Sequence, residues 1–415
     1  MAVILAVLVL LIGLSVATGW DEDAGGSSSA SARVAPIGTI EARVERLRGL
    51  DFTTRPVPQT VTPAQARREG LADLDRSYPA SRRLADEEFL KLLRLIDPRV
   101  DLRAASSSIF GEQVAGYYDP RSRRLRVVSG ASTSGRVLNE LVLSHELTHA
   151  LEDQRLGLDQ ERLSTNDDRA LAYLSLVEGS ATAVMYDYGA RYFSSEELLG
   201  GVLGSAFQGT GGLPPFVTAQ LVFPYQRGLE FVQRLVQVGG GKWSLVDAAH
   251  RSHPPVSTEQ IMHPDKYLRF EEPERVRLDP GKVLGDGWRR MTAGVMGEWE
   301  TGQLLSAGGG GAADAAAGWA GDRYELWQRS GAEGCGPPCP ERDALILRWR
   351  WDTPKDERQF LDALRRWISQ GLGAQAAGPD RGTARGGSVA VAQSGDAVTL
   401  ALAPDADLAA RLAGR

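Results

Sequence analysis

The hydrophobic positions of the chain alternate between helical and strand-like spacing, so the pattern predicts a mixed α+β fold. Thr62 followed by Pro63 indicates a helix start, because threonine caps a helix and proline fits its first turn. A second helix is predicted over Glu87–Ile96, ending before Asp97-Pro98. A hairpin is predicted next, with a strand, a turn and a second strand over Val114–Tyr118, Asp119–Ser122 and Leu125–Val128.

The helix predicted after this hairpin carries two histidines on its hydrophobic face. Leu138, Val142, His145 and His149 follow one another at intervals of four, three and four residues, which places them on one face of a helix. The apolar stripe that anchors the helix therefore continues into two imidazoles. Glu146 lies about 100° round the helix from His145, so its carboxylate faces a different direction.

This spacing suits a metal ion with a general base beside it. Side chains four residues apart on a helix lie roughly 5–6 Å from each other, close enough for His145 and His149 to bind one ion. Zinc accepts imidazole nitrogens at about 2.0–2.1 Å and prefers tetrahedral geometry. Glu146 is displaced from that coordination sphere but can reach a water at its open position. The H-E-x-x-H pattern therefore predicts a catalytic metal site with Glu146 as the base.

A third metal ligand is predicted on the next helix. Asn166 is its expected N-cap, with Asp167 and Asp168 in the first turn, where they suit the helix dipole. The apolar stripe of this helix includes one carboxylate, since it comprises Leu171, Leu174, Glu178, Ala181 and Met185. A buried carboxylate without a partner costs several kcal/mol. Glu178 must therefore form an ion pair, for example with an arginine, accept hydrogen bonds, or bind the metal. Two histidines and one glutamate leave zinc an open position, as in catalytic sites.

These residues resemble the gluzincin clan of zinc peptidases, in which a glutamate on a following helix completes the H-E-x-x-H site. Three runs are similar to a group of bacterial exported metallopeptidase-like proteins, namely Leu143–Gln154, Tyr117–Pro120 and Pro254–Pro264. The resemblance implies a zincin-like, largely helical catalytic domain with a β-hairpin or small sheet before the active-site helix. It also implies one catalytic Zn²⁺ held by His145, His149 and Glu178, with Glu146 as general base.

The chain departs from the gluzincin pattern at one position. Several gluzincins have an aspartate four residues after the glutamate ligand, where it orients a histidine ligand; this chain has Thr182. Orientation must then come from another carboxylate or a backbone carbonyl. A donor that stabilises the oxyanion is also expected, and the candidates are His263, His253 and Tyr118. The strand Leu125–Val128 is predicted to be a sheet edge that can pair with an extended peptide.

The N-terminal composition predicts where the protein works. Ala2–Thr18 has no charged residue and is mostly Ala, Val, Leu and Ile, which suits a signal-peptide core or an anchor. Gly25–Ser31 is rich in small residues and is typical of a flexible tether. We therefore assign residues 1–20 to a signal peptide or N-terminal membrane anchor and residues 21–35 to a linker. The rest of the chain is expected to be extracytoplasmic, either secreted or attached to the membrane.

The composition changes near residue 280, beyond which seven of the nine tryptophans lie. We assign residues 36–280 to the metallopeptidase domain and residues 281–415 to a smaller α+β module. Its predicted elements are two strands, a helix and a terminal hairpin, over Gly318–Trp327, Leu345–Trp351, Thr353–Ile368, Ser388–Ala392 and Ala397–Ala403. The only cysteines, Cys335 and Cys339, can close a small disulfide loop in an oxidising compartment, the alternative being two free thiols.

Two classes of function are consistent with these residues. The first is an active zinc endopeptidase or related peptide hydrolase with a protein or peptide substrate; a zinc-dependent amidase acting on a non-protein substrate is a narrower alternative. The second is a catalytically silent zinc-binding envelope protein that uses the fold for binding. Glu146 favours the first class, because metal retention needs only the ligands. A net charge of -6 and a pI near 5.6 provide no basic field for nucleic acid, so no such partner is expected.

Overall fold

The computed structural model describes residues 34–105, 107, 116–129, 135–158, 167–198, 213–331, 335–384 and 386–414. The predicted signal peptide or anchor, most of the predicted linker, and the predicted N-cap Asn166 lie outside these ranges. Within them, no helix combines the length and the apolar character needed to cross a membrane.

The part of the chain before residue 280 is mainly helical. Its helices are α1 (Ile37–Arg48), α2 (Pro63–Ser77), α3 (Ala80–Leu92), α4 (Arg136–Arg155), α5 (Asp167–Tyr192), α6 (Pro215–Val238), α7 (Ser244–Arg251), α8 (Thr258–Met262) and α9 (Pro264–Leu268). The predicted start of α2 is confirmed. The Thr62 side chain accepts a hydrogen bond from the Gln65 amide, and the Gln65 side chain accepts one from the Thr62 amide.

The boundaries predicted for the second helix are wrong at both ends. Helix α3 begins at Ala80, directly after Pro79, and ends at Leu92. It cannot continue to Ile96, because Arg94 has a positive φ of 59°, a left-handed conformation that interrupts a right-handed helix.

A three-stranded sheet precedes the histidine-bearing helix. Its strands are β1 (Gln59–Val61), β2 (Gly116–Asp119) and β3 (Arg124–Val128), in the order β1-β3-β2. Strands β2 and β3 pair antiparallel, so the predicted hairpin is confirmed from Gly116 onward. The prediction that Leu125–Val128 forms an edge is wrong, because β1 pairs parallel with β3 on its other side. The strand with an open edge next to α4, within the described ranges, is β2.

A seven-stranded antiparallel sheet dominates the second part of the chain, with the order β4-β5-β6-β10-β9-β8-β7. Its strands are β4 (Trp288–Gly294), β5 (Trp319–Arg329), β6 (Asp343–Trp351), β7 (Gln375–Gly378), β8 (Arg381–Ala384), β9 (Gly387–Ser394) and β10 (Ala397–Ala403). The accompanying helices are α10 (Gly281–Leu284), α11 (Gly297–Ser306), α12 (Ala312–Ala316), α13 (Pro354–Arg366) and α14 (Ala406–Ala413), with a π-helical segment at Trp367–Gly371. The predicted strands, hairpin and Thr353-capped helix are confirmed, and the fold is mixed α+β.

The largest hydrophobic cluster joins the helices to this sheet. It includes Tyr173 of α5 and Phe231 of α6 together with Tyr324 of β5 and Trp349 of β6, all buried. A second cluster packs α1 against α4 and the end of α5. Helix α4 therefore lies between the N-terminal helix and the rest of the core. The domain boundary near residue 280 stays a prediction, and the largest cluster includes residues on both sides of it.

Cys335 and Cys339 form a disulfide, the first of the two predicted alternatives. The Cys339 amide donates a hydrogen bond to Glu88 Oε1 on α3, at 2.7 Å. The Glu88 carboxyl also shares a hydrogen bond with Asp343 of β6, and both residues are buried. Burial, reinforced by the neighbouring Asp343 carboxylate, raises the pKa of Glu88 far above its usual range. The two carboxyls therefore share a proton near neutral pH, which ties the disulfide loop to α3.

Replacing Glu88 with glutamine is expected to make stability less sensitive to pH. The folded-state pKa of Glu88 lies above the unfolded value of about 4.3, so its stabilising contribution is present in acid and lost as pH rises. Glutamine imitates the protonated carboxyl, since it can donate to Asp343 and accept from Cys339. Urea unfolding at about pH 5 and pH 8 should show a smaller stability loss in Glu88→Gln than in wild type. An equal loss of stability between the two pH values in wild type and Glu88→Gln would contradict the shared proton. Glu87→Gln, which removes the partner of Lys91, is the control.

Candidate metal centre

Helix α4 buries the three polar side chains that it contributes to the predicted site. His145, Glu146 and His149 have relative exposures of 1%, 0% and 1%. Val142 and Leu138, one and two turns before His145 on the predicted face, are buried as well, so the predicted orientation of the helix is confirmed. The apolar stripe therefore anchors α4 in the core and carries the two imidazoles into the interior with it.

Glu178 of α5 meets the two histidines. Its Oε2 lies 3.1 Å from His145 Nε2 and 3.4 Å from His149 Nε2. The two Nε2 atoms are 3.1 Å from each other. Burial opposes ionisation of Glu178, but His149 and His145 outweigh it and hold the pKa of this carboxyl at about 2. Its partners in the described structure are thus the histidines and not an arginine.

The three converging atoms have the spacing of donors around one tetrahedral cation. Bonds of about 2.0–2.1 Å at tetrahedral angles separate two donor atoms by roughly 3.3 Å. The observed separations are 3.1, 3.1 and 3.4 Å. A single proton can form a hydrogen bond between only two of these three atoms, whereas a cation at their centre can bind all three. His145, His149 and Glu178 therefore fit a small divalent metal ion.

Glu146 has a different environment from the three converging residues. Neither of its carboxylate oxygens has a hydrogen-bond partner of normal geometry in the described structure, although the residue is fully buried. Burial raises the pKa of this carboxyl to about 8, and the charge of His149 and the Tyr118 amide only partly oppose the rise. Strand β2 passes close by: a Cβ on Gly116 would lie 3.7 Å from Glu146 Cγ. Glu146 is thus a buried carboxyl with no side-chain partner in the described structure, separate from the three converging donors.

Two glycines, Gly179 and Gly228, allow α6 to cross α5 in close contact beside Glu178. A Cβ on Gly228 would lie 2.0 Å from the Ser175 carbonyl oxygen, and one on Gly179 would lie 2.2 Å from the Gly228 carbonyl oxygen. This close approach places Tyr225 of α6 over His145, with ring centroids 6.0 Å apart and planes inclined by 26°. Tyr225 is not among the residues predicted from the sequence, because its position depends on a contact between two helices that has no local sequence pattern.

The three oxyanion candidates are bonded to other groups. Tyr118 Oη donates to Asp153 at 2.8 Å, and His263 Nε2 pairs with Glu298 Oε1 at 2.9 Å. His253 Nδ1 lies 2.9 Å from its neighbour Ser252 Oγ. The structure therefore brings none of them into hydrogen bonding with the converging residues within the described ranges. An oxyanion role for these three side chains stays a prediction.

Nothing in the described residues replaces the aspartate missing at Thr182. The Thr182 hydroxyl is buried and has no hydrogen-bond partner there, and neither does the Nδ1 atom of either histidine. The carboxylate or carbonyl expected to orient the imidazoles is thus not among the described contacts. Their orientation depends on how α4 and α5 pack.

Among the described residues, two other groups of potential metal ligands are less suitable. The first comprises Glu88, Cys339 and Asp343. Cys339 offers no thiolate in it, because its sulfur is in the disulfide. The second group surrounds the Lys266 ammonium, whose Nζ lies 2.6–2.8 Å from oxygens of Glu259, Glu271 and Asp352. That ammonium already supplies the positive charge, so the group around His145 fits a metal best.

Comparisons with known proteins give limited matches. A family model described as "Domain of unknown function (DUF8575)" matches residues 284–413, which contain the seven-stranded sheet and not the candidate metal centre. No curated protein matches the chain. A solved structure from Chloroflexus aurantiacus, described as a candidate hydrolase with a novel fold, is similar at 20% identity and a TM-score of 0.37. That match covers 57% of this chain and 88% of the other.

Proposed function

We propose that the chain is a zinc-dependent peptide hydrolase of the gluzincin type. His145, His149 and Glu178 would hold one zinc ion, and Glu146 would be the general base. The observation that carries the proposal is the convergence of three buried donor atoms at 3.1–3.4 Å. A buried carboxyl with no side-chain partner in the described structure, Glu146, lies beside the two histidines on α4. The intact sequence pattern from His145 to His149 and its gluzincin resemblance support zinc over other cations.

The protein's own groups account for the steps of the reaction. Zinc, when bound, supplies a Lewis acid that lowers the pKa of water to about 7 and polarises a carbonyl. Glu146 accepts the proton of the attacking water and passes it to the leaving amine. No ion pair has to be broken first, because its oxygens have no side-chain partner in the described structure.

The edge strand beside the site supports a peptide as substrate. Strand β2 has an open edge within the described ranges and runs next to Glu146. An extended peptide can add to such an edge through backbone hydrogen bonds, which places its carbonyl groups along the strand. With the predicted N-terminal signal or anchor, we propose that the substrate is an extracytoplasmic protein or peptide.

A metal-removal experiment tests this proposal. The purified protein is expected to contain one zinc per chain and to cleave an unstructured protein such as casein. A chelator should abolish cleavage, and added zinc should restore it. His149→Ala should lose zinc and activity, because it removes one of the three donors. Arg227→Ala, which removes only an exposed ion pair with Glu230 on α6, should retain both.

Three outcomes would contradict the proposal in different ways. A wild-type protein that purifies without zinc and does not bind added zinc would refute the proposed metal site. A protein that holds one zinc yet leaves peptide libraries intact would favour the silent zinc-binding envelope protein. Cleavage of non-peptide amides alone would favour the narrower amidase alternative.

A further inference from the structure

A fully buried arginine lies at the end of α1. Arg48 has a relative exposure of 0%, and its guanidinium contacts two carboxylates from different helices. Its Nε lies 2.6 Å from Glu152 Oε1 of α4, and its Nη2 lies 2.6 Å from Asp247 Oδ1 of α7. The guanidinium also lies over the Trp243 ring at 4.4 Å. Arg48 therefore ties α1 to α4 and α7 in the interior.

Glu152 extends this contact to the two ligand-bearing helices. It is fully buried and follows His149 by three residues, one helical turn along α4. Its second oxygen accepts a hydrogen bond from Ser180 Oγ at 2.7 Å, and Ser180 follows Glu178 by two residues on α5. The Glu152–Ser180 bond thus joins α4 to α5 close to the ligands of both helices. The buried His250 of α7 approaches the same oxygen at 3.6 Å.

The donor geometry depends on the relative position of these two helices. Two donor atoms belong to α4 and one to α5. Because the donors are 3.1–3.4 Å apart, a shift of one helix along the other would move them out of coordination distance. The imidazole Nδ1 atoms have no hydrogen-bond partner in the described structure to hold the rings individually. A displacement of about 0.5 Å is enough to weaken a metal site. Contacts that fix α4 against α5 within one helical turn of the ligands are therefore the ones expected to act on metal affinity.

We propose that Arg48, Glu152 and Ser180 are positioning residues that fix the spacing of the ligand-bearing helices, so that metal affinity depends on the docking of α1. This inference rests on the metal site of the proposed function. It assigns a role to α1, whose residues lie far from the metal ligands in sequence, and it accounts for a buried charge network beside the site.

A second arginine of α1 provides a matched control. Arg43 also ties α1 to α4 and α5, through Glu140 at 3.2 Å and Tyr188 at 2.8 Å. Glu140 precedes His145 by five residues, whereas Glu152 follows His149 by three. The two carboxylates therefore lie on opposite sides of the ligands along α4. If the network near Glu152 only stabilises the fold, replacing Arg43 or Arg48 should change zinc affinity by the same factor. If the network positions the ligands, replacing Arg48 should weaken zinc binding more than replacing Arg43.

The test measures metal binding in the full chain. Zinc affinity is determined by competition with a chromogenic chelator, and ligand geometry by the visible absorption spectrum of the Co²⁺-substituted protein. Ser180→Ala and Glu152→Gln are expected to bind zinc about 10- to 100-fold more weakly than wild type, as for other partners that orient metal ligands. Their Co²⁺ spectra should shift. Arg43→Met should change affinity by no more than about twofold, because its partners Glu140 and Tyr188 lie more than one helical turn from the ligands on their helices.

The outcomes separate this inference from the proposed function. Wild-type affinity and an unshifted Co²⁺ spectrum in both Ser180→Ala and Glu152→Gln would overturn it, as would equal losses in Arg43→Met. Arg48→Met should follow Ser180→Ala; if it does not fold, the other two variants decide. A wild-type protein that binds neither Zn²⁺ nor Co²⁺ would instead refute the metal site itself.

Discussion

Glutamine in place of Glu146 is expected, on the function proposed above, to slow peptide hydrolysis by about 10²- to 10⁴-fold, the usual contribution of a general base. Bound zinc should stay at one per chain, because Glu146 is not among the converging donors. The fold should keep its stability or gain slightly, since the wild-type carboxyl is buried without a hydrogen-bond partner in the described structure. The amide has the same shape but cannot accept the proton of the attacking water.

The measurement compares kcat/KM, zinc content and unfolding temperature in the same preparations. Glu140→Gln is the matched control on the same helix. Glu140 pairs with Arg43 and Tyr188, so this change should lower stability and leave turnover of the folded protein near wild type. A Glu146→Gln protein that keeps more than roughly a tenth of wild-type kcat/KM would show that another group is the base.

Alanine in place of Gly228 is expected to destabilise the protein by about 1–3 kcal/mol, as overpacking does in tight interiors. The added Cβ would lie 2.0 Å from the Ser175 carbonyl oxygen, and a backbone atom cannot move aside as a flexible side chain can. Helices α5 and α6 must then separate at the position next to Glu178. Weaker zinc binding should therefore accompany the loss of stability.

Gly302 of α11 provides the control for this substitution. A Cβ there would meet only the Ala316 Cβ at 3.6 Å, an ordinary contact. Gly302→Ala should stabilise the protein by about 0.5–1 kcal/mol, because alanine favours the helix. Urea unfolding and zinc content are measured for both variants. Equal stabilities in Gly228→Ala and Gly302→Ala would show that α5 and α6 are not in close contact at this crossing.

The parts of the site that follow helical periodicity could be predicted from the sequence. The intervals between Leu138, Val142, His145 and His149 place the imidazoles on a buried face, because burial of the apolar positions fixes the helix orientation. Glu178 was identifiable for the same reason, as one carboxylate within an apolar stripe. The hairpin from Gly116 was predictable too, since its turn residues are local.

Other features depend on contacts between residues far apart in the chain. Arg48 and Glu152 are separated by 104 positions, and Arg48 and Asp247 by 199. Strand β1 has only three residues and no distinctive pattern, so its pairing with β3, which removes the predicted edge, was not foreseeable. Tyr225 reaches His145 only because two glycines let their helices touch. Local patterns predict which face of a helix is buried, not which helix covers it.

The hydrophobic cluster shared by α5, α6 and the seven-stranded sheet has a consequence for thermodynamic linkage. A ligand that binds only the folded state adds its binding free energy to the unit that unfolds with its site, about 2.7 kcal/mol at a concentration one hundred times Kd. Because Tyr173 and Phe231 belong to the same cluster as Tyr324 and Trp349, that unit includes the sheet. Zinc between α4 and α5 would thus slow amide hydrogen exchange in β5 and β6, which carry none of its three ligands.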